Sequence, residues 1–128
     1  MELKEIHQSD LKPFTELEIL ILQYNELKYL EKDLFKFNPK LKAFTANNNN
    51  ISYIDPHIFD HLSHLSYLHL NGNVCELSNV DDDRTKVMKI FQVAKEKCSD
   101  LEVLMNLKYT TEVLIRLFEK IETLQDEN

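Results

Sequence analysis

The sequence predicts an α/β repeat fold. We expect a short solenoid whose parallel strands form one concave sheet, closed by a helical C-terminal cap and followed by an amphipathic C-terminal helix. Three observations predict it. Asn25, Asn49 and Asn73 stand 24 residues apart. The apolar residues around them keep the same register, and the composition changes abruptly after Cys75. A fixed period of this length means stacked units, because each unit has an apolar face that only its neighbours can cover.

Leu17, Leu41 and Leu65 repeat at that spacing, as do Leu20, Phe44 and Leu68, and Leu22, Ala46 and Leu70. Leu27, Ile51 and Cys75 follow, then Leu30 with Ile54 and Phe35 with Phe59. Leu20 and Leu22 alternate with Ile19 and Ile21, a period of two that reads as a short strand. An asparagine suits the turn after each strand, since its amide both donates and accepts where the chain leaves the ladder. Asn38-Pro39 and Asp55-Pro56 break regular structure on the outer arc. Leu3, Ile6 and Leu11 fall in the slots of Leu27, Leu30 and Phe35, so a partial unit precedes the first full one. Its own strand is missing from the sequence. The N-terminus therefore reads as truncated, with an open sheet edge at Leu17–Leu22 that a partner, a second copy or further repeats would cover.

The segments LEILILQYNELKYL (Leu17 to Leu30), LKAFTANNNNISYI (Leu41 to Ile54) and LSYLHLNGNVC (Leu65 to Cys75) match LxxLxLxxNxLxx(L/I). This resembles the leucine-rich repeat family over roughly residues 1 to 75. Phe44, Ala46 and Cys75 stand in aliphatic slots of that motif. The resemblance implies a protein–protein interaction module with a protein ligand on the concave sheet.

The residues between the leucines supply that face. Across strands, Ile19, Ala43 and Tyr67 form one row, Ile21, Thr45 and His69 the next, and Gln23, Asn47 and Asn71 a polar row. Tyr24 and Lys42 flank them. An apolar centre with a tyrosine and an amide-rich rim is protein-contact chemistry.

Beyond Glu76, Val87, Met88, Phe91, Ala94 and Cys98 share one helical face, and Asp81, Asp82 and Asp83 sit where a helix start favours negative charge. A helix over Asp81–Lys97 is expected, packed on the end of the last repeat. Cys75 holds an interior slot and Cys98 lies near the end of that apolar face. They are the only two cysteines, which points to a disulfide stapling the cap; two buried free thiols are the alternative. The arrangement resembles the cysteine-containing C-terminal flank of secreted and cell-surface leucine-rich repeat proteins. With two cysteines and no tryptophan it is similar to insect-type extracellular members. Asn50-Ile51-Ser52 is an N-glycosylation sequon, which agrees with an extracellular location. The opening MELKEIHQ lacks the apolar core of a signal peptide. The alternative is an intracellular, cytoplasmic scaffold or truncated paralogue with reduced cysteines.

After Ser99 and Asp100, Val103, Leu107, Thr110, Leu114, Leu117, Ile121 and Leu124 alternate steps of four and three, an a/d seam. Homo- or hetero-dimerisation through residues 101–124 is expected, the alternative being that the helix folds back on the cap. The layout is then repeats at 1–75, cap at 76–99 and amphipathic helix at 100–128.

Charge narrows the functions. Residues 1–75 carry 7 Lys against 10 Asp and Glu, and residues 76–128 carry 8 Lys and Arg against 12, so neither half of this net −7 chain is basic. Nucleic acid is an unsuitable partner, and no segment is long and apolar enough to span a bilayer. Gly72 is the single glycine, which leaves no phosphate-cradling loop. His57, His61 and His64 have a ligand-like spacing beside Asp55 and Asp60, but they fall on the solvated outer arc. We expect no enzyme activity, no metal and no cofactor.

Overall fold

In a computed structural model, residues 2–100 and 118–122 are described. Helix α1 spans Gln8–Leu11, and strands β1 Ile19–Ile21, β2 Tyr29–Leu30, β3 Ala43–Thr45, β4 Tyr53–Ile54 and β5 Tyr67–His69 follow, then helix α2 Arg84–Lys97. Most of the expected heptad seam lies outside the described residues. Residues 118–122 are helical, and Phe118 and Ile121 there are exposed.

The 24-residue period becomes a sheet register. β1, β3 and β5 form one parallel sheet in that order. Ile19 pairs with Ala43 and Ala43 with Tyr67; Leu20, Phe44 and Leu68 align, as do Ile21, Thr45 and His69. β2 and β4 form a second parallel pair, Tyr29 with Tyr53 and Leu30 with Ile54. This pair sits where the sequence reading placed only an irregular outer arc. Between the two sheets lie Leu27, Leu30, Leu34, Phe35, Leu41, Phe44, Leu62, Leu65 and Leu68, all with no solvent exposure. Each strand is too short to persist alone, so burial of this shared interior must hold the stack together.

The ladder asparagines work between repeats. Asn25 Oδ1 accepts from Leu3 N, Asn49 Oδ1 from Leu27 N and Asn73 Oδ1 from Ile51 N, at 2.8, 3.0 and 3.0 Å. Each amide nitrogen donates to a carbonyl three residues back, at Leu22, Ala46 and Leu70. Asn49 and Asn73 also reach the preceding repeat, at Leu22 O and Ala46 O. Backbone polar groups that the turn removes from the ladder are thereby satisfied.

The residue before each ladder asparagine is left-handed: Tyr24 has φ 58°, Asn48 φ 56° and Gly72 φ 71°. A turn that leaves a parallel strand sharply enough to bring the asparagine under the sheet requires this conformation. Glycine and asparagine adopt it readily, and tyrosine does so only under strain.

Polar side chains cover carbonyls on the opposite side of the stack. Asn38, fully buried, donates to Leu11 O and Phe14 O at 3.0 and 2.9 Å. One repeat on, His61 Nε2 donates to Phe35 O at 2.7 Å, and Arg84 donates to Leu62 O and Leu65 O, both at 2.8 Å. A train of rings runs through the interior. Phe35 meets Phe44 edge-on at 5.0 Å, Phe59 lies 6.1 Å from Phe35, and Phe91 of α2 stacks on Phe59 at 4.9 Å.

Helix α2 starts at Arg84, three residues later than the expected Asp81. Asp82 is left-handed (φ 46°) and Asp83 is an extended N-cap whose carboxylate accepts from Lys86 N at 3.0 Å. Asp81 and Asp82 are therefore free for other contacts. Val87, Phe91 and Ala94 bury the inner face of α2, whereas Met88, expected on that face, is exposed. Val80 forms an antiparallel bridge to Leu68, exchanging two hydrogen bonds of 2.9 Å that cover the outer edge of β5. Cys75 and Cys98 are joined by a disulfide with Cα atoms 5.7 Å apart, and Cys98 O accepts from Ile54 N at 2.7 Å. The end of the stack next to β5 is thus closed. At the other end, Leu17, Leu20 and Leu22 are only partly buried, although their equivalents in the later repeats are at most 1% exposed.

Candidate ligand-binding face

The outward face of the β1–β3–β5 sheet holds a shallow concavity of about 410 Å³ lined by Ile19, Ile21, Gln23, Ala43, Thr45, Tyr67 and His69. The strand alternation that points Leu20, Phe44 and Leu68 inward turns these neighbours outward. Ile19 and Ile21 are 61% and 60% exposed, side by side on one strand. Two adjacent aliphatic side chains in water are a standing cost that a ligand would remove.

Tyr67 and His69 make the opposite wall. Their rings stack at 4.4 Å with planes 23° apart, and His69 Nε2 lies 2.6 Å from Asp81 Oδ1. Loss of water around the Tyr67 hydroxyl, and then the negative charge of Asp81, hold that phenol above its usual pKa. It therefore stays a neutral donor and acceptor at physiological pH. Asp81 reaches the face because α2 begins late. Its position in an acidic run gave no sign of this contact, since the run reads equally well as a helix start.

Thr45 and Asn47, expected to be exposed on this face, are buried to 8% and 9% residual exposure. They sit on the central strand or its extension, flanked on both sides, and Thr45 lines the hollow between the two walls. Thr45 Oγ1, Asn47 Oδ1 and Asn71 Oδ1 have no hydrogen-bond partner among the described residues. Of these, Thr45 lines the hollow, where an unpaired oxygen offers a directional polar contact to whatever fills it. Asn71 and His69 are half-buried, and Gln23 and Lys42 are exposed. Tyr24 is 69% exposed, held in its left-handed turn by a 3.0 Å bond from its N–H to Asn47 O.

Two cross-strand ion pairs border the face. Lys42 bonds Glu18 at 2.9 Å and Lys40 bonds Glu16. The Lys42 ammonium holds the Glu18 carboxylate below its usual pKa, and Glu16 holds Lys40 above its own. Four charges are thus locally neutralised beside the hollow.

The remaining expected site residues lie elsewhere. Asn50 is exposed, at a second hollow of about 320 Å³ that it shares with Lys4, Glu5, Glu26, Lys28 and Tyr29. Its backbone N–H bonds Leu27 O at 2.8 Å while Ile51 is buried, so the sequon sits in an ordered turn with the asparagine outward. His57 pairs with Asp60 at 2.7 Å and His61 with the Phe35 carbonyl, so these histidines do not converge. Among the described residues no group of three or more His, Cys, Asp or Glu is placed to hold a metal, and no helix is long and apolar enough to cross a membrane.

The geometry agrees with comparison to known proteins. A family model described as "Leucine rich repeat" matches residues 15–74. Over 63 residues the chain is 33% identical to Toll-like receptor 1 of Homo sapiens; the match covers 49% of this chain and 8% of that protein. The matched residues contain the asparagine ladder and all three strands of the larger sheet. Residues 15–74 of the chain are leucine-rich repeats.

Proposed function

We propose that this chain is a recognition module that binds a protein ligand on the outward face of the β1–β3–β5 sheet, and that it does so outside the cell, in an innate-immune type of role. The observation that carries the reading is the paired exposure of Ile19 and Ile21 opposite the stacked Tyr67 and His69, with the unpaired oxygen of Thr45 between them. Leucine-rich repeats in general mediate protein–protein interaction rather than catalysis. The similarity to Toll-like receptor 1 supports the recognition role. The Cys75–Cys98 disulfide and the outward Asn50 support the extracellular one.

On this reading residues 1–75 are a short solenoid that presents the face, and residues 76–99 cap its end. The apolar seam expected within residues 100–128, most of it outside the described residues, would serve association with a second copy or another chain. A face built on three strands is small, so it gains from such avidity. Tyr67→Asp tests the face directly, because Tyr67 is half-exposed and lies two strands from the open edge. A partner captured from the native source by the wild-type chain should be lost from this variant while thermal unfolding stays unchanged. Undiminished capture would remove the outward face from the account.

A further inference from the structure

The outward hollow has an uneven electrostatic surround. On the cap side, Val80 forms its antiparallel bridge with Leu68. Residues opposed in such a pair share a face, so Asp81 falls beside Tyr67 on the outward side of the sheet. Its side chain is 72% exposed, and its carboxylate lies 2.6 Å from His69 Nε2. Asp82 is exposed next to it and accepts from Ser66 Oγ at 3.3 Å. Among the described residues no lysine or arginine pairs with either carboxylate. The other charges nearby are spent. Lys42 and Lys40 hold Glu18 and Glu16. Asp83 caps α2, where its carboxylate accepts from Lys86 N at 3.0 Å, and Arg84 turns to the carbonyls of Leu62 and Leu65.

The hollow itself gives a second, independent indication of a ligand. Thr45 is 8% exposed, and its Oγ1 has no hydrogen-bond partner among the described residues. It lines the hollow with Ala43, Tyr67 and His69, all on the two strands nearest the cap. An unpaired hydroxyl at this depth is costly until a donor or an acceptor covers it. An extended peptide supplies both along its backbone.

We infer that the ligand presents a basic peptide segment to this face, an inference that rests on the ligand-binding role proposed above. The backbone of the segment meets the Thr45 hydroxyl. One aliphatic or aromatic side chain packs against Ala43 and Tyr67, and a neighbouring lysine or arginine reaches Asp81 and Asp82. Tyr67 stands between Thr45 and Asp81 in strand order, so its ring offers an apolar surface to the stem of that basic side chain. The net charge of −7 draws a basic partner toward the chain, and the two aspartates set where it docks.

The test selects a random peptide library displayed on phage against the full 128-residue chain at low ionic strength. Recovered peptides are synthesised and titrated into wild type while backbone amide shifts are followed. Affinities are then compared for Asp81→Asn with Asp82→Asn, and for Asp33→Asn with Glu96→Gln, which removes the same charge from exposed positions outside the hollow. The amide at 81 keeps an acceptor for His69, and asparagine tolerates the left-handed backbone of Asp82, so the fold should stand. Recovered peptides should place lysine or arginine beside an aliphatic or aromatic residue and shift the amides of Thr45, Tyr67, His69 and Asp81. The Asp81–Asp82 variant should bind them roughly five- to tenfold more weakly, and the control pair should bind them as wild type does. Peptides that shift these amides but lack basic residues, or that bind the Asp81–Asp82 variant undiminished, would overturn the inference and leave the ligand face standing. Equal weakening in the two variants would overturn it too, since net charge alone would then attract the peptides. Peptides that shift none of these amides, or a selection that yields none, would overturn both the inference and the ligand face.

Discussion

Asn49 Nδ2 donates to the carbonyl of Leu22, 27 residues earlier in the chain and one repeat away, at 3.0 Å. The same side chain accepts from Leu27 N and donates to Ala46 O, and it is only 6% exposed. Asn49→Ala would leave the buried Leu27 N–H without its acceptor and take one of two side-chain donors from each of the Leu22 and Ala46 carbonyls, at a cost of about 2–3 kcal/mol. Asn25 is half-exposed and reaches the preceding unit through Leu3 N alone among the described residues. Asn25→Ala should cost less, about 1–2 kcal/mol. Urea denaturation of the two variants checks the order; equal losses would mean that the burial of Asn49 and its added bond to Leu22 O contribute nothing.

The left-handed position of each turn predicts opposite signs for two substitutions. Tyr24→Asn puts a tolerant residue at φ 58° and should raise stability by roughly 0.5–1 kcal/mol. It should weaken ligand binding if the exposed ring is a contact. Gly72→Ala places a Cβ against Asn48 Oδ1 at φ 71° and should cost more than about 1 kcal/mol. Thermal unfolding of both variants decides; a Tyr24→Asn protein no more stable than wild type would argue against strain in that turn.

These turns show where the sequence was legible. The asparagines, the leucine slots and the parallel register all follow from one period, because each repeat must present the same groups to its neighbour. The positive φ at Tyr24 carries no composition signal, since a tyrosine there reads as an exposed aromatic. The sequence reads Thr45 and Asn47 as exposed; their burial is not legible there, because it comes from neighbours 24 residues away on both sides. Asn38, His61 and Arg84 act on carbonyls 19 to 27 residues back. Three different side chains do related work, and no shared residue type marks it. The late start of α2 escaped because three aspartates offered three equal N-caps.

The cap predicts a redox dependence. The disulfide closes a loop with a sequence separation of 23 residues, and opening it should lower stability by about 2–4 kcal/mol. Denaturation of the wild type with and without reductant, and of Cys75→Ser with Cys98→Ser, should agree. Peptide mass mapping of unreduced protein from its native source should find Cys75 linked to Cys98 and sugar on Asn50. Free thiols and a bare Asn50 would count against the extracellular reading.

His7 predicts a pH dependence of definite sign. Burial disfavours its charge, but hydrogen bonds and attraction from Glu5 and Glu31 prevail and hold it above the usual 6.5. A raised folded pKa gives stability that is fully present below the unfolded value and is lost as pH rises through the folded one. The side chain is 42% exposed, so the contribution is a few tenths of a kcal/mol. His7→Gln should therefore be destabilised relative to wild type at mildly acidic pH and nearly equal to it above neutrality. Denaturation at both pH values checks this, and the reverse trend would mean that the Glu31 contact does not form.

The most direct test of the central claim is a matched pair of affinities for one partner isolated with the wild-type chain. Tyr67→Asp alters the outward face, and Lys36→Asp alters an exposed position outside it. The account predicts at least about a tenfold loss for Tyr67→Asp, equivalent to 1.4 kcal/mol or more, and wild-type affinity for Lys36→Asp. Equal affinity for wild type and Tyr67→Asp, or a loss confined to Lys36→Asp, would contradict it.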